Sequence, residues 1–208
     1  MGNNKKKDSK KTKKRKKYNI KWVLLITFWT FVLAVSVSMI SESIMRNFDI
    51  IMAFITLILI IFLGVVFDLI GISVAIANEA PFHSMAANKV QVARYAVRLI
   101  RNAGPVSNFC SDVIGDIAGI ISGAAGTIIV IKLLNIYGIK EGAFVSIVMS
   151  GIIAALTVGG KAYGKEIAIN NANKIVLYTA NFFMILHKKF GIDLLPRLKK
   201  KKKIKKER

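Results

Sequence analysis

Four stretches without a single charged side chain alternate with polar segments along this chain. They are Trp22–Ile40, Ile50–Phe67, Ile117–Ile131 and Ala143–Gly160. The first, as a helix, is about 28 Å long, which matches the hydrocarbon thickness of a bilayer. The pattern predicts an all-α, polytopic membrane protein with about four transmembrane helices.

The third stretch is too short to cross a bilayer by itself. It reaches membrane length only if its helix begins near Cys110. We therefore expect Asp112 and Asp116 to lie on this helix, in or near the bilayer. Acidic residues at membrane depth are costly, which makes them candidates for a functional site.

A basic amphipathic segment, residues 83–102, lies between the second and third stretches. Its apolar residues recur at helical spacing, and most of its basic residues lie on the other side of the helical wheel. This predicts an interfacial amphipathic helix that ends at Gly104-Pro105. We expect three of its arginines to contact anionic lipid headgroups: Arg94, Arg98 and Arg101.

Positive charge is concentrated at the two ends of the chain, which carries a formal net charge of +21. Residues 1–21 are predicted to be a disordered basic arm, residues 22–190 the transmembrane domain, and residues 191–208 a basic tail. The positive-inside rule places both termini in the cytoplasm of a multi-pass plasma-membrane protein. We interpret Trp22–Ile40 as an uncleaved helix, with a cleaved signal peptide as the alternative. The basic ends are expected to bind anionic lipid headgroups, and no nucleic acid.

Asp112 and Asp116 are spaced i, i+4 and therefore share one face of a helix. Two carboxylates this close repel each other unless they share a proton, a cation or a basic partner. Mg²⁺ prefers carboxylate, amide and hydroxyl oxygens, which further residues offer: Asn78, Glu79, Ser111 and Ser122. Alternatively, the two acids lie at the wet interface or pair with Lys161 and Lys165.

Gly115, Gly119 and Gly123 form two overlapping G-x-x-x-G spacings, which predict close packing of the third helix against another. The alternative is that glycine is simply common in membrane helices. An enzyme is not expected, since no nucleophile is accompanied by a catalytic base in the sequence. The segment 159–166 nearly matches a phosphate-binding loop, but Glu166 replaces its Ser or Thr. No organic cofactor is predicted.

Residues 50–180 resemble the transmembrane (DUF21) domain of the CorB/CorC and cyclin-M magnesium transporters. Three landmarks occur in the family's order: the segment 77–80 (Ala-Asn-Glu-Ala), then Gly115-Asp116, then the segment 160–165 (Gly-Lys-Ala-Tyr-Gly-Lys). The resemblance implies a homodimeric transporter of divalent cations, Mg²⁺ or Co²⁺, that lacks the family's paired CBS domains. Mg²⁺ would be the substrate ion.

Two departures from the family pattern suggest a second hypothesis. Asp116 stands where the family has Asn, and Lys161 stands where it has Glu. An Asp–Lys ion pair in place of the metal would leave the fold intact without transport, as in a membrane scaffold or accessory subunit. The distance from Lys161 to Asp112 and Asp116 distinguishes the two hypotheses.

Overall fold

The computed structural model describes residues 20–138 and 142–191, with side chains from residue 24 to residue 189. The predicted basic arm lies outside the described residues up to residue 19, and so does the basic tail from residue 192. The chain divides into two units, residues 1–36 and 37–208. Among the described residues, four helices are long and apolar enough to cross a membrane, so the prediction of an all-α polytopic protein is confirmed.

Helix α1 runs from Ile20 to Asn47 and is the first of these candidate spans. In the first unit, large apolar side chains of this helix are exposed on more than one face: Leu24 is 64% exposed, and Leu25, about 100° further around the helix, is 57% exposed. A helix that is apolar all round suits a hydrocarbon solvent. Further along α1, in the second unit, Met45 is fully buried.

The second unit contains the other three spans and the amphipathic segment. Helix α2 (Ile50–Ile76) is followed by α3 (Ala80–Ala87) and α4 (Gln91–Arg101). A continuous helical stretch then joins α5 (Ala103–Ser107), a π-helical segment (Asn108–Gly115) and α6 (Asp116–Tyr137). Helix α7 (Gly142–Phe190) completes the described fold.

All four described spans are longer than the apolar stretches that predicted them, and α1 continues past Ile40 to Asn47. Helix α2 continues past Phe67 through Asp68 to Ile76, so the polar residues after Phe67 do not end it. Helix α7 contains 49 residues and consists of two helical parts that meet at a kink at Asn171. The polar segment 161–174 spans this kink, and the apolar segment 175–186 lies wholly in the second part. The third span also begins well before Ile117, as its short apolar stretch required.

The spans of the second unit pack around one apolar cluster, which we call the span cluster. Its buried members come from α1, α2, α6 and α7: Met45, Ala53, Leu57, Ile61, Ala125, Ile129, Val130, Met149 and Ile153. The backbones approach closely where α2 crosses the third span, because a Cβ placed on Gly64 would lie only 2.8 Å from the Cβ of Ala118. Glycine is therefore required at residue 64 for this approach.

A second apolar cluster, the outer cluster, joins the amphipathic segment to the far end of α7. Its buried members are Val74, Phe82, Ala96, Val97, Leu99, Val176 and Ala180. An amphipathic helix lies between the second and third spans, as predicted, but it covers only Gln91–Arg101, because the helical backbone breaks at Lys89, whose φ is 61°. The prediction that this helix ends at Gly104-Pro105 is wrong: both residues lie inside α5. Its apolar face packs on other helices of the same chain, and Ala93 is fully buried.

Helix α7 changes direction at Asn171, whose φ of −127° and ψ of 23° are not helical. The local sequence contains three asparagines, Asn170, Asn171 and Asn173. Asparagine favours caps and turns over helix interiors, because its side chain competes for backbone hydrogen bonds. The kink separates the part of α7 in the span cluster from the part in the outer cluster.

Candidate functional site

The π-helical segment places the two predicted acids on consecutive turns. Asp112 lies within this segment, and Asp116 is the first residue of α6. Both side chains are exposed. Widened π-helical turns are rare and frequently occur at functional sites. The carboxylates of Asp112 and Asp116 are therefore the first candidates for a functional site.

Packing of α2 positions the π-helical segment. A Cβ at Gly71 would collide with the Ser111 hydroxyl and lie 3.0 Å from the Ser107 carbonyl oxygen, so the segment approaches α2 as closely as glycine allows. The Ser111 hydroxyl donates a hydrogen bond of 3.4 Å to the carbonyl oxygen of Asp68. Ser111 therefore has a backbone partner across the two helices.

Asp116 forms an ion pair with Lys161 of α7. The Lys161 ammonium lies 3.2 Å from the Asp116 carboxylate, and the two side chains are 27% and 65% exposed respectively. A Cβ on Gly115 would lie 3.7 Å from the Lys161 nitrogen, an ordinary contact distance, so this ion pair does not require glycine at residue 115. Of the two arrangements considered from the sequence, the structure contains the one in which Lys161 lies within salt-bridge distance of one of the two acids, Asp116.

Asn78 and Glu79 form a separate polar group at the end of α2. The Asn78 carboxamide oxygen accepts a hydrogen bond of 3.0 Å from the Ala80 backbone N–H, at the start of α3. Glu79 accepts hydrogen bonds from Arg101 at 2.5 Å and His83 at 2.8 Å. The hydrogen bond from Arg101 holds the pKa of Glu79 below its ordinary value, although partial burial opposes this shift.

The predicted magnesium ligands are therefore divided among different partners. Ser122 is fully buried, and its hydroxyl donates a 2.8 Å hydrogen bond to the Gly119 carbonyl of its own helix. Between residues 20 and 191, leaving aside 139–141, no three His, Cys, Asp or Glu side chains form a group that could hold a metal ion. The cationic group next to Asp116 in this arrangement is the Lys161 ammonium.

The three glycines of the G-x-x-x-G pattern have different surroundings. Gly115 is buried next to α2 and Lys161. A Cβ on Gly119 or Gly123 would meet no atom of the described chain within 4 Å. Gly115 is thus the member of this stripe that neighbours other helices of the described chain, and a Cβ there would make only ordinary contacts of 3.6–3.7 Å, whereas the face that carries Gly119 and Gly123 is open.

The basic residues singled out in the sequence also differ from one another. Arg94 and Lys165 are exposed. The Arg98 guanidinium lies 5.8 Å from the centre of the Tyr95 ring, a cation–π geometry. Arg101 pairs with Glu79, so its charge is partly used within the protein.

Sequence reasoning missed a polar pocket at the kink of α7. Four asparagines and one lysine contribute to it: Asn78, Asn170, Asn171, Asn173 and Lys174. The signal was present as three asparagines within four residues of one apolar helix. It was not recognised because Asn78 is distant in sequence and only folding brings it to this site.

The comparisons with known proteins returned no match: no family model, curated protein or solved structure is similar to this chain.

Proposed function

We propose that this chain is a membrane scaffold or accessory subunit that does not transport divalent cations. The observation that carries the proposal is the 3.2 Å contact between Lys161 and Asp116. A lysine ammonium next to a carboxylate supplies the positive charge that a bound cation would otherwise supply. Removing either partner would leave an unpaired charge in a candidate span, which is unfavourable in a low-dielectric environment.

The alternative is a divalent-cation transporter of the kind that the resemblance to the DUF21 domain implies, with Mg²⁺ or Co²⁺ as its substrate. The observation in its favour is the exposed pair Asp112 and Asp116, one helical turn apart at a π-helical junction. In a transporter, Lys161 would leave Asp116 when the ion arrives. The ion pair would then be one state of a cycle.

The experiment that separates these functions is Mg²⁺ and Co²⁺ flux into proteoliposomes. Wild type is compared with the double variant Asp112→Asn/Asp116→Asn, and with protein-free liposomes. The scaffold proposal predicts that all three leak at the same rate, across a range of ion gradients. Wild-type flux that is abolished in the double variant would overturn the proposal and place the transport site at these two acids.

A self-associating scaffold needs an open face, and α6 offers one. Asp116, Gly119 and Gly123 follow helical spacing, and a Cβ on either glycine meets no described atom within 4 Å. A second copy of the chain, packed here, would form a homodimer and shield the exposed Asp116 carboxylate from lipid. A protomer mass in detergent-solubilised protein, measured by light scattering, would contradict the dimer.

The positive-inside rule supports an orientation with both termini in the cytoplasm of the plasma membrane. In this orientation, α3, α4 and the far end of α7 face the cytoplasm. Arg94 and the lysine-rich ends of the chain are then close to anionic lipid headgroups. The function proposed here therefore involves a membrane, a second copy of the chain and acidic lipid.

A further inference from the structure

The polar pocket at the kink of α7 has a volume of about 370 Å³. Eight residues line it: Ile76, Asn78, Ile169, Asn170, Asn171, Ala172, Asn173 and Lys174. Small-molecule sites start at roughly this size, about 300 Å³. Its walls come from two elements that are distant in sequence, the end of α2 and the middle of α7. The pocket is therefore a product of the tertiary fold.

The hydrogen bonds at the pocket fix the orientation of two carboxamides. The backbone N–H of Asn78 donates to Asn173 at 3.0 Å, and the backbone N–H of Ala80 donates to Asn78 at 3.0 Å. A backbone N–H can only donate, so the atom facing it in each case is the carboxamide oxygen. Each side chain then retains its –NH₂ group as the part that a ligand can use.

The charge of the lining residues also favours a ligand that accepts hydrogen bonds. Lys174 is the one charged residue among the eight that line the pocket, and none of them is acidic. Asn170, Asn173 and Lys174 are exposed, so a ligand can reach these groups from outside the chain. Amide donors next to a lysine favour a ligand that carries several acceptor oxygens and negative charge.

We propose that this pocket binds a phosphoryl group, held by the carboxamide –NH₂ groups of Asn78 and Asn173 and the ammonium of Lys174. Tetrahedral phosphate oxygens offer the acceptors that these three donors require. A phospholipid headgroup and a soluble phosphate ester share this chemistry. The site lies at the end of α2, beyond Asp68 and the charge-free stretch that ends at Phe67, so we expect both sources to reach it.

The test uses the full chain, purified in an uncharged maltoside detergent without phosphate. Inorganic phosphate is titrated while ³¹P line broadening and the thermal unfolding midpoint are recorded, at constant ionic strength. In a second series, phosphatidic acid is added to the micelles. Tighter binding of phosphatidic acid identifies a lipid site, and binding of inorganic phosphate that phosphatidic acid does not displace identifies a soluble ligand. Absence of both overturns the proposal.

The decisive variant is Asn173→Asp. It keeps the oxygen that accepts from the Asn78 backbone N–H, and it replaces the –NH₂ donor with a negatively charged oxygen. We expect the apparent Kd for the bound species to rise by about tenfold or more. Lys174→Gln is expected to raise it by a smaller factor in the same direction.

The control variant is Lys189→Gln, which removes one exposed lysine of the same helix outside the pocket. A net charge of +21 will attract phosphate to the lysine-rich ends in every variant. The phosphate binding that belongs to the pocket is the part that is lost in Asn173→Asp and retained in Lys189→Gln. Equal binding by wild type and Asn173→Asp, with the Asp variant folded as judged by its unfolding midpoint, would overturn the site.

Discussion

The span cluster and the outer cluster are both buried, but the helix surfaces around them differ in polarity. The span cluster lies among helices that are apolar on their outer faces, such as α2 with Ile51, Ile58 and Phe62 exposed. The outer cluster lies beneath α4, which carries Arg94, Arg98 and Arg101. Three arginines on one short helix indicate an aqueous or interfacial environment.

This difference changes what stabilises each cluster. In water, burial of an apolar side chain contributes about 25 cal/mol per Å² of surface removed from solvent. In lipid there is little such gain, because the hydrocarbon tails are as apolar as the side chains. The span cluster therefore depends on shape and on close backbone approach, and the outer cluster also gains from the hydrophobic effect.

The largest expected effect comes from a matched pair of leucines. Leu99 in the outer cluster is fully buried, and Leu57 in the span cluster is 3% exposed. Leu99→Ala loses both the transfer and the cavity contributions, so we expect the free energy of unfolding to fall by about 2–5 kcal/mol. Leu57→Ala loses mainly the cavity contribution, about 1–3 kcal/mol. Unfolding of each variant in mixed micelles by increasing SDS measures both.

Equal losses in the two variants would contradict the idea that the clusters experience different solvents. A greater loss of unfolding free energy in Leu57→Ala than in Leu99→Ala would reverse the expected order.

A glycine pair tests the dependence on close approach. Gly64→Ala places a Cβ 2.8 Å from the Cβ of Ala118, so the two helices must separate, at a cost of about 1–3 kcal/mol. Gly123→Ala adds a Cβ to an open position and should leave the protomer's unfolding free energy unchanged. If the open face forms the homodimer, Gly123→Ala should instead weaken self-association, measured by light scattering at decreasing protein concentration.

The smallest expected effect concerns the ion pair between Glu79 and Arg101 of α4. Glu79→Gln removes the negative charge from the pair with Arg101 but keeps an acceptor oxygen, and we expect a loss of about 0.2–1 kcal/mol in the unfolding free energy at neutral pH, since the pair is partly exposed. The folded-state pKa of Glu79 lies below its ordinary value of 4.5. The stabilisation is therefore present above this pH and is lost as the pH falls towards the lowered pKa.

Unfolding of wild type and Glu79→Gln from neutral to acidic pH tests this dependence, and the two curves should converge at acidic pH. Glu42→Gln is a suitable control, because Glu42 pairs with Arg46 within one helix and is 50% exposed. A difference between wild type and Glu79→Gln that persists at acidic pH would show that Glu79 acts through packing.

The fold was predictable to a large extent, but the surroundings of the candidate site were not. Charge-free stretches located all four spans, and the short third stretch correctly required a helix that starts before Ile117. The pairing of Asp116 with Lys161 was one of two open alternatives, because helical spacing cannot tell which face of α7 meets the third span. The partners of Glu79 and Asn78 were not foreseen, since Arg101 and Asn173 are distant in sequence.

The sequence by itself determined the number of candidate spans, the amphipathic helix and the open question about Lys161. These properties depend on local hydropathy and periodicity, which each segment carries without its neighbours. Only the tertiary structure decided that Gly64, and not Gly119 or Gly123, brings two helices of this chain together, and that Asn78 and the kink of α7 form one pocket. The reason is physical: contacts between helices depend on how the helices rotate and cross, and that arrangement minimises the free energy of the whole bundle.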